Sequence, residues 1–215
     1  MVDWRYGDSW ERHPIAAGEI WTETGTGSAV AVADLFDGLP AFMTQADMIY
    51  VDPPWNTGNV GSFYTKAGTA RRGDFDDLLA ALLDGVATIQ ASVCYMEMGR
   101  QNLGKTLDAL GRLYPTIQYW LITYYRRNPS YLIRGGPRPA TADFTGSDDM
   151  DTPRLAMQSE MFTCVADLCM GRGLTATTAY QLGKRFVGTE LNPRRLACAI
   201  DKVAQLGGDW CITQR

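Results

Sequence analysis

The segment MFTCVADLCMGRGLTATTAYQLGKRFVGTELNPRRLACAIDKV, residues 161–203, alternates short apolar runs with helical patterns. Its runs Met161–Ala166 and Arg185–Gly188 are typical of strands that are buried on both faces of a sheet. Asn192-Pro193 indicates a helix start, with asparagine as the N-cap and proline at the first helical position. A strand, a helix, a second strand and a second helix in succession predict parallel βαβ architecture.

The rest of the chain repeats this alternation. Continuous apolar runs predict three more buried strands, at Ala29–Ala33, Met48–Val51 and Ser92–Met96. Two further runs, Thr116–Tyr125 and Tyr131–Arg134, flank a turn and predict an antiparallel hairpin. We therefore expect an α/β fold with a doubly wound, mostly parallel seven-stranded sheet and the hairpin at its edge.

The length of 215 residues suits one α/β domain, so a single domain is expected over residues 1–215. Residues 1–28 are interpreted as an N-terminal extension. We interpret residues 56–73, which are rich in glycine and polar side chains, as a mobile target loop. Residues 135–160 are interpreted as a short insertion. Asp74 is predicted to cap the helix that follows it.

Composition and charge exclude several classes of protein. Apolar residues make up 46% of the chain and charged residues 20%, as in a folded globular protein rather than a disordered or fibrous one. The 20 Lys and Arg against 24 Asp and Glu give a net charge of −4, which argues against an indiscriminate polycation but not against a local basic groove. The apolar runs are too short to span a bilayer, and the first residues lack a signal-peptide pattern, so no membrane association is expected.

Cysteine and histidine usage excludes two further kinds of site. Five cysteines without C-x-x-C pairs predict reduced and mostly buried thiols, and hence a cytoplasmic location. His13 is the only histidine. We therefore expect neither a metal site nor a histidine-based nucleophilic site.

The string Asp52-Pro53-Pro54-Trp55 follows the strand Met48–Val51 directly. In an open α/β sheet, ligands bind at the carboxyl ends of the strands, so this turn is expected to face a crevice. The Asp52 carboxylate and the Pro53 carbonyl can both accept hydrogens from one NH2 group, and Trp55 offers a flat face for stacking a ring. The two prolines stiffen the turn. The structural alternative is a polyproline turn with a packing tryptophan.

A second turn, ADLCMGRGLT at residues 166–175, also lies between a strand and a helix. Gly171 and Gly173 allow a tight bend and a close approach of a ligand to the backbone. Glu190 ends the next strand about twenty residues further on, where nucleotide-binding βαβ units place the acid that holds the ribose hydroxyls. Ala176 replaces the third glycine of the dinucleotide pattern, so a single nucleoside fits better than a nicotinamide cofactor. Plain packing of strand against helix is the structural alternative.

Three strings together resemble the amino-methyltransferases, which move a methyl group from S-adenosylmethionine to the exocyclic amine of adenine or cytosine in nucleic acid. They are AVADLFDGLP at residues 31–40, VDPPW at 51–55 and ADLCMGRGLTATTAYQLGKRFVGTELNP at 166–193. The catalytic string precedes the cofactor string, as in the permuted, β-type members of the family. DPPW resembles the motif of the N6-adenine type.

The resemblance implies a Rossmann-like methyltransferase fold, S-adenosylmethionine as the cofactor and a role for each matching position. The catalytic motif that it implies is Asp52, Pro53, Pro54 and Trp55. The cofactor-binding residues that it implies are Asp34, Asp52, Asp167, Cys169, Gly171, Gly173 and Glu190. Two positions depart from the family pattern, since Cys169 replaces the usual phenylalanine and Arg172 replaces a small residue.

Nucleic acid is the expected partner, with the target base flipped out of a duplex or already single-stranded. Two clusters of cations are the candidate phosphate contacts, one after DPPW and one at the hairpin. They contain Lys66, Arg71, Arg72, Arg126, Arg127 and Arg134. The insertion at 135–160 is too short for an elaborate recognition domain. We therefore expect a short or relaxed sequence preference, or specificity supplied by a homodimer or another protein.

The expected function is transfer of a methyl group from S-adenosylmethionine to the N6 amine of adenine in DNA. RNA N6-adenine methylation and DNA N4-cytosine methylation are the nearest alternatives. An alternative of another class is a non-catalytic subunit that binds the cofactor or nucleic acid and supports an active partner.

Overall fold

A nine-stranded sheet forms the centre of the part of the chain that the computed structural model describes, residues 6–125 and 127–214. The strands are β1 (Ile20–Glu23), β2 (Ala29–Val32), β3 (Met48–Val51), β4 (Val93–Met98), β5 (Thr116–Tyr124), β6 (Asn128–Gly136), β7 (Cys164–Asp167), β8 (Arg185–Glu190) and β9 (Trp210–Gln214). Their order across the sheet is β5-β6-β4-β3-β7-β8-β2-β1-β9. The five central strands, β4, β3, β7, β8 and β2, run parallel to one another. On one side β6 pairs antiparallel with β4 and β5 pairs antiparallel with β6. On the other side β1 pairs antiparallel with β2 and β9 pairs antiparallel with β1.

The parallel centre and the edge hairpin β5–β6 were predicted from the sequence, but the predicted count of seven strands was too low. β1 lies within residues 1–28, which were interpreted as an extension, and β9 lies at residues 210–214. Side chains of β1 alternate between buried and half-buried, and those of β9 are half-buried or exposed. Strands with this mixed burial lack the continuous apolar run by which the buried strands were recognised.

Helices cover both faces of the sheet in the described residues. The α-helices are α1 (Ser9–Arg12), α2 (Thr57–Ala67), α3 (Phe75–Ile89), α4 (Leu103–Leu110), α5 (Thr152–Ser159), α6 (Leu174–Gln181) and α7 (Pro193–Gln205). Because successive strand side chains point to opposite faces, Ile49 and Val51 pack in one core with α3 and α4. Met48 and Tyr50 pack in the other core with α5, α6 and α7. None of the described helices combines the length and hydropathy needed to cross a membrane.

Two helix starts confirm predictions from the sequence. The Asp74 side chain accepts a hydrogen bond from the N–H of Asp77 at 3.2 Å, and the Asp77 side chain accepts from the N–H of Asp74 at 3.0 Å. This reciprocal capping box begins α3. The Asn192 side chain accepts from the N–H of Arg194 at 2.9 Å, and Pro193 occupies the first turn of α7. Local side-chain chemistry therefore determines where both helices begin.

The segment 56–73, interpreted from the sequence as a mobile loop, folds in part into α2. The Asn56 side chain caps the start of this helix, and Gly68, with φ +73°, follows its end. Only Val60 and Tyr64 of α2 are buried. The apolar row is therefore too narrow for the helical periodicity to be recognised in the sequence.

The segment 135–160 also contains regular structure. β6 extends to Gly136, and α5 occupies Thr152–Ser159. Between them, Phe144 is 1% exposed, and its ring lies 4.8 Å from that of Trp120 and 5.6 Å from that of Tyr95. One buried aromatic side chain thus anchors a stretch without apolar periodicity to the sheet.

Candidate active site

The turns after β3 and β7 leave the sheet at the same edge. β3 and β7 are neighbouring parallel strands, with Ile49 opposite Ala166. Parallel neighbours end at the same edge, so the turn at residues 52–55 lies beside the turn that follows Asp167. The two turns that carry the sequence motifs therefore meet.

A cavity of about 430 Å³ opens at this edge, within the range of small-molecule sites. Carboxyl side chains from several elements line it: Asp34, Asp52, Glu97, Asp149, Asp167 and Glu190. Cys169 and Gly171 also lie in the wall. The structure thus brings together all but Gly173 of the predicted cofactor-binding residues in one cavity. Gly173 lies just before α6, where it packs against α7.

The Trp55 side chain holds Asp52 in place. Its Nε1–H donates to Oδ1 of Asp52 at 2.9 Å, and the Trp55 carbonyl accepts from Nδ2 of Asn102 at 2.7 Å. The indole packs on Gly99, where an added Cβ would come within 3.0 Å of Trp55 Cε3, and its ring lies 4.5 Å from that of Tyr124. Oδ1 of Asp52 is thereby occupied, whereas Oδ2 has no hydrogen-bond partner among the described residues. A role for Trp55 in stacking stays a prediction.

The turn after β7 folds around the Glu190 carboxylate. Gly171 has φ +54°, and its N–H donates to Oε2 of Glu190 at 2.7 Å. The N–H of Asn192 donates to Oε1 of Glu190 at 2.9 Å. Asp167 accepts from the N–H of Cys169 at 3.0 Å. These bonds hold both acids in position on the cavity wall.

Gly173 is the glycine of this turn that leaves least room for a side chain. Its φ is +77°, and an added Cβ would lie 2.4 Å from Cβ and 2.8 Å from Cα of Ala199 on α7. We expect Gly173→Ala to lower the free energy of unfolding by about 2–4 kcal/mol, because strain and overlap in the core add up. Urea unfolding measures this change.

The control for Gly173→Ala is Gly104→Ala, which places the same side chain in α4 with open space around it. We expect the control to be neutral or to gain up to about 1 kcal/mol, since alanine favours helix. A loss under about 1 kcal/mol for Gly173→Ala would contradict the tight contact with α7.

The carboxyl groups that follow or end β3, β7 and β8 lie where protein surroundings disfavour their charge. Burial raises the pKa of Asp167 to about 7 and raises the pKa of Glu190. Asp52 is exposed to the cavity, yet desolvation by the walls, with the Asp167 charge, raises its pKa as well. A positively charged ligand would favour the ionised forms of these acids and be held by them. The cavity is therefore suited to a cationic ligand.

Asp34 is held by α2. The Tyr64 hydroxyl lies 2.9 Å from both carboxylate oxygens of Asp34 and donates to them. Phe63, also on α2, lines the cavity, and its ring centre is 4.5 Å from the guanidinium carbon of Arg195. α2 is therefore part of the cavity wall, and what the interpretation of residues 56–73 as a mobile target loop did not predict is the helix itself.

Several residues of the wall were missed by sequence reasoning. They are Glu97, Tyr124, Tyr125, Asp149 and Arg195. Glu97 could have been found, because an acid inside the buried run SVCYMEM is itself an indication of function. Tyr125 has φ +50°, a left-handed conformation that is uncommon for a bulky residue and was invisible in the sequence. The rings of Tyr124 and Tyr125 lie 4.4 Å apart and form an aromatic wall next to Trp55.

Arg134 corrects one predicted phosphate contact. It is 4% exposed, its Nε donates to Glu160 at 2.7 Å and its Nη1 donates to the carbonyl of Arg138 at 2.6 Å. The guanidinium carbon also lies 5.8 Å from the ring centre of Tyr95. Arg134 points inward from β6 and forms a buried ion pair with Glu160. The prediction that Arg134 contacts phosphate was therefore wrong.

The other predicted cations differ in their surroundings. Arg72 forms an ion pair with Asp37 and lies over the Phe36 ring at 5.5 Å. Three more predicted contacts are exposed: Lys66, Arg71 and Arg127. Arg126 lies outside the described residues.

Solved structures show which fold this chain shares. No protein-family model matches the sequence, and a search of curated proteins gives no match. M1.HpyAVI superposes with a TM-score of 0.56 at 16% identity, over 81% of this chain and 97% of that one. The complex of M1.HpyAVI with S-adenosylmethionine gives 0.55 at 14% identity, over 81% and 98%. TTHA0409 from Thermus thermophilus, described as a DNA modification methylase and solved with S-adenosyl-L-methionine, gives 0.56 at 14% identity, over 82% and 93%. At these identities the comparisons establish a shared fold.

Proposed function

We propose that this protein transfers a methyl group from S-adenosylmethionine to an exocyclic amine of a base in DNA, with N6 of adenine as the target. The observation that carries the proposal is the meeting of two turns in one cavity. Asp52, the amine-binding group, lies at the end of β3, and the glycine turn begins at the end of the neighbouring strand β7. The shared fold with TTHA0409, solved with this cofactor, supports it.

The residues of the cavity fit the cofactor. S-adenosylmethionine has a sulfonium and an ammonium group, and the wall is rich in carboxyl groups. We assign Asp167 and the backbone of Gly171 to the methionine part, Glu190 to the ribose hydroxyls and Asp34 to the adenine side. When bound, the cofactor supplies an electrophilic methyl group.

The chemistry required of Asp52 follows from the nature of the target. An exocyclic amine donates its lone pair into the aromatic ring and is therefore a poor nucleophile. Oδ2 of Asp52 and the carbonyl of Pro53 can accept its two hydrogens and hold the lone pair on nitrogen, in line with the methyl group. Because Trp55 fixes Oδ1 of Asp52 at 2.9 Å, the acceptor is oriented before the base arrives. After transfer, the amine proton passes to Asp52 or to water.

The nucleic-acid partner is assigned from the chemistry of the cavity rim. A base must leave the stack to reach Asp52, and Tyr124 and Tyr125 offer ring faces beside it. We propose the exposed cations Lys66, Arg71 and Arg127 as phosphate contacts. The short segment 135–160 supports a relaxed sequence preference.

Incubation with methyl-labelled S-adenosylmethionine and matched DNA and RNA oligonucleotides, followed by digestion to nucleosides, tests the function. We expect label in N6-methyldeoxyadenosine. Label in N6-methyladenosine from RNA, or in N4-methyldeoxycytidine, would contradict adenine in DNA as the target and identify that other base as the substrate. A protein that binds neither the cofactor nor S-adenosylhomocysteine in calorimetry is not this enzyme.

Cofactor binding is expected to strengthen as the pH rises from 6 to 8. In the free protein the pKa of Asp167 is raised to about 7, so the acid is largely neutral at pH 6 and ionised at pH 8. Only the ionised form pairs with a cation, and the gain for one such group is about tenfold over this interval. Calorimetry at both pH values measures the gain, and proton release on binding provides a second readout. An affinity that falls with pH would contradict this assignment of Asp167.

A further inference from the structure

Glu97 lies beside Asp52 on the neighbouring strand. β3 and β4 are parallel, with Tyr50 opposite Tyr95, and the centres of these two rings are 6.3 Å apart. Two residues further along each strand, Asp52 and Glu97 are level and on the same face. The roles proposed above do not use this second acid.

Hydrogen bonds distinguish the two carboxyl oxygens of Glu97. The Tyr50 hydroxyl donates to Oε1 at 2.5 Å, and the Thr152 hydroxyl lies 3.3 Å from the same oxygen. Oε2 is buried and has no hydrogen-bond partner among the described residues. Glu97 is 2% exposed and forms part of the cavity wall. Because Oε1 already accepts a hydroxyl hydrogen, Oε2 is the oxygen that can carry a proton and donate it.

The surroundings of Glu97 favour its neutral form. Burial, with the nearby Asp52 charge, raises the pKa of Glu97 well above its ordinary value. A buried carboxylate with one unpartnered oxygen would be costly, whereas a neutral acid lacks only a hydrogen-bond acceptor. The pair thus consists of an acceptor, Asp52, next to a donor, Glu97.

We propose that Glu97 selects the target base by donating a hydrogen bond from Oε2 to the ring nitrogen next to the target amine. This inference rests on the proposed function. Adenine and cytosine each present an amine hydrogen beside an unprotonated ring nitrogen, which matches Asp52 and Glu97. At the corresponding ring position, guanine and thymine present an oxygen beside a ring N–H. The acceptor Asp52 would then face an acceptor, and the donor Glu97 would face a donor.

The test compares an oligonucleotide that contains adenine with one that contains 1-deazaadenine, in which a C–H replaces the ring nitrogen N1. For the wild-type protein we expect kcat/KM for methyl transfer to be about tenfold or more lower on the analogue, because the Glu97 donor loses its acceptor. For Glu97→Met, which has a similar length and no donor, the two substrates should react alike. Since the intrinsic reactivity of each amine is the same for both proteins, it cancels from the comparison.

Glu97→Gln is the conservative variant. Its amide oxygen can accept from Tyr50 and its NH2 can occupy the position of Oε2, so the preference for adenine over 1-deazaadenine should be retained. If Glu97→Met does not fold, Glu97→Leu, which also lacks a donor, replaces it in the comparison, so that the intrinsic reactivity of the two amines still cancels.

The outcomes separate the two proposals. A wild-type protein that methylates no nucleic acid overturns the proposed function and this assignment with it. Where the wild type methylates adenine, an equal penalty for 1-deazaadenine in wild type and Glu97→Met overturns the Glu97 assignment alone, as does the absence of any penalty in the wild type.

Discussion

Asp52→Ala is expected to lower the rate of methyl transfer by about a thousandfold or more, since the variant loses the acceptor that orients and activates the amine. Oδ2 of Asp52 is the acceptor assigned to the amine, and Oδ1 is already bound to the indole of Trp55. Loss of the side chain leaves only the Pro53 carbonyl to draw the lone pair onto nitrogen. The rate is measured in single turnover with labelled cofactor, which separates chemistry from product release.

The same substitution should leave the fold intact. Trp55 keeps its bond to Asn102 at 2.7 Å and its packing on Gly99, so the turn after β3 does not depend on the carboxylate. The pKa of Asp52 is raised in the folded protein, so the wild type loses stability as the pH rises from the ordinary carboxyl range to that pKa. Asp52→Ala lacks this loss, and we expect it to unfold at an equal or higher urea concentration than the wild type at pH 8.

Asp108→Ala is the control for Asp52→Ala. It removes one negative charge from the exposed face of α4, and Asp108 does not line the cavity. We expect its turnover to match that of the wild type. Unchanged turnover in Asp52→Ala would refute the assigned role, and unfolding of Asp52→Ala at low urea would refute the account of its stability.

The second large effect is expected on cofactor affinity. Glu190→Gln should weaken binding by about a hundredfold, because charged hydrogen bonds to the ribose and the order of the glycine turn are lost together. Glu190 accepts N–H groups from Gly171 at 2.7 Å and from Asn192 at 2.9 Å. A glutamine NH2 would face one of these N–H groups, so the glycine turn would lose a contact as well. Calorimetry with S-adenosylhomocysteine measures the change without turnover.

Glu23→Gln is a matched control for Glu190→Gln. Glu23 is 2% exposed and accepts backbone N–H groups from Gly25 at 3.1 Å and Thr26 at 2.6 Å, so its chemistry resembles that of Glu190. Glu23 ends β1, which runs antiparallel to β2. It therefore lies beside the start of β2, at the end of the sheet opposite to the cavity. We expect Glu23→Gln to lower stability and to bind the cofactor normally. Equal affinities for Glu190→Gln and the wild type would contradict the assignment of Glu190.

Local patterns in the sequence were sufficient for the central strands and for two helix starts. The buried runs predict central strands because a strand covered on both faces needs apolar side chains at every position. Asp74 and Asn192 mark helix starts because the caps are made by side chains a few residues away. The strands β1 and β9 and the helix α2 were not predicted, since none of them buries enough side chains to produce a continuous apolar run or a wide apolar face.

The sequence predicted the two motifs and their position at the carboxyl ends of strands, because both depend on residues that are adjacent in sequence. Which side chains surround them was decided by tertiary structure. Glu97 stands next to Asp52 because β4 pairs with β3, and Arg134 is buried because β6 turns it toward Glu160. Strand pairing joins residues that are distant in sequence, and no local pattern records the neighbours that it produces.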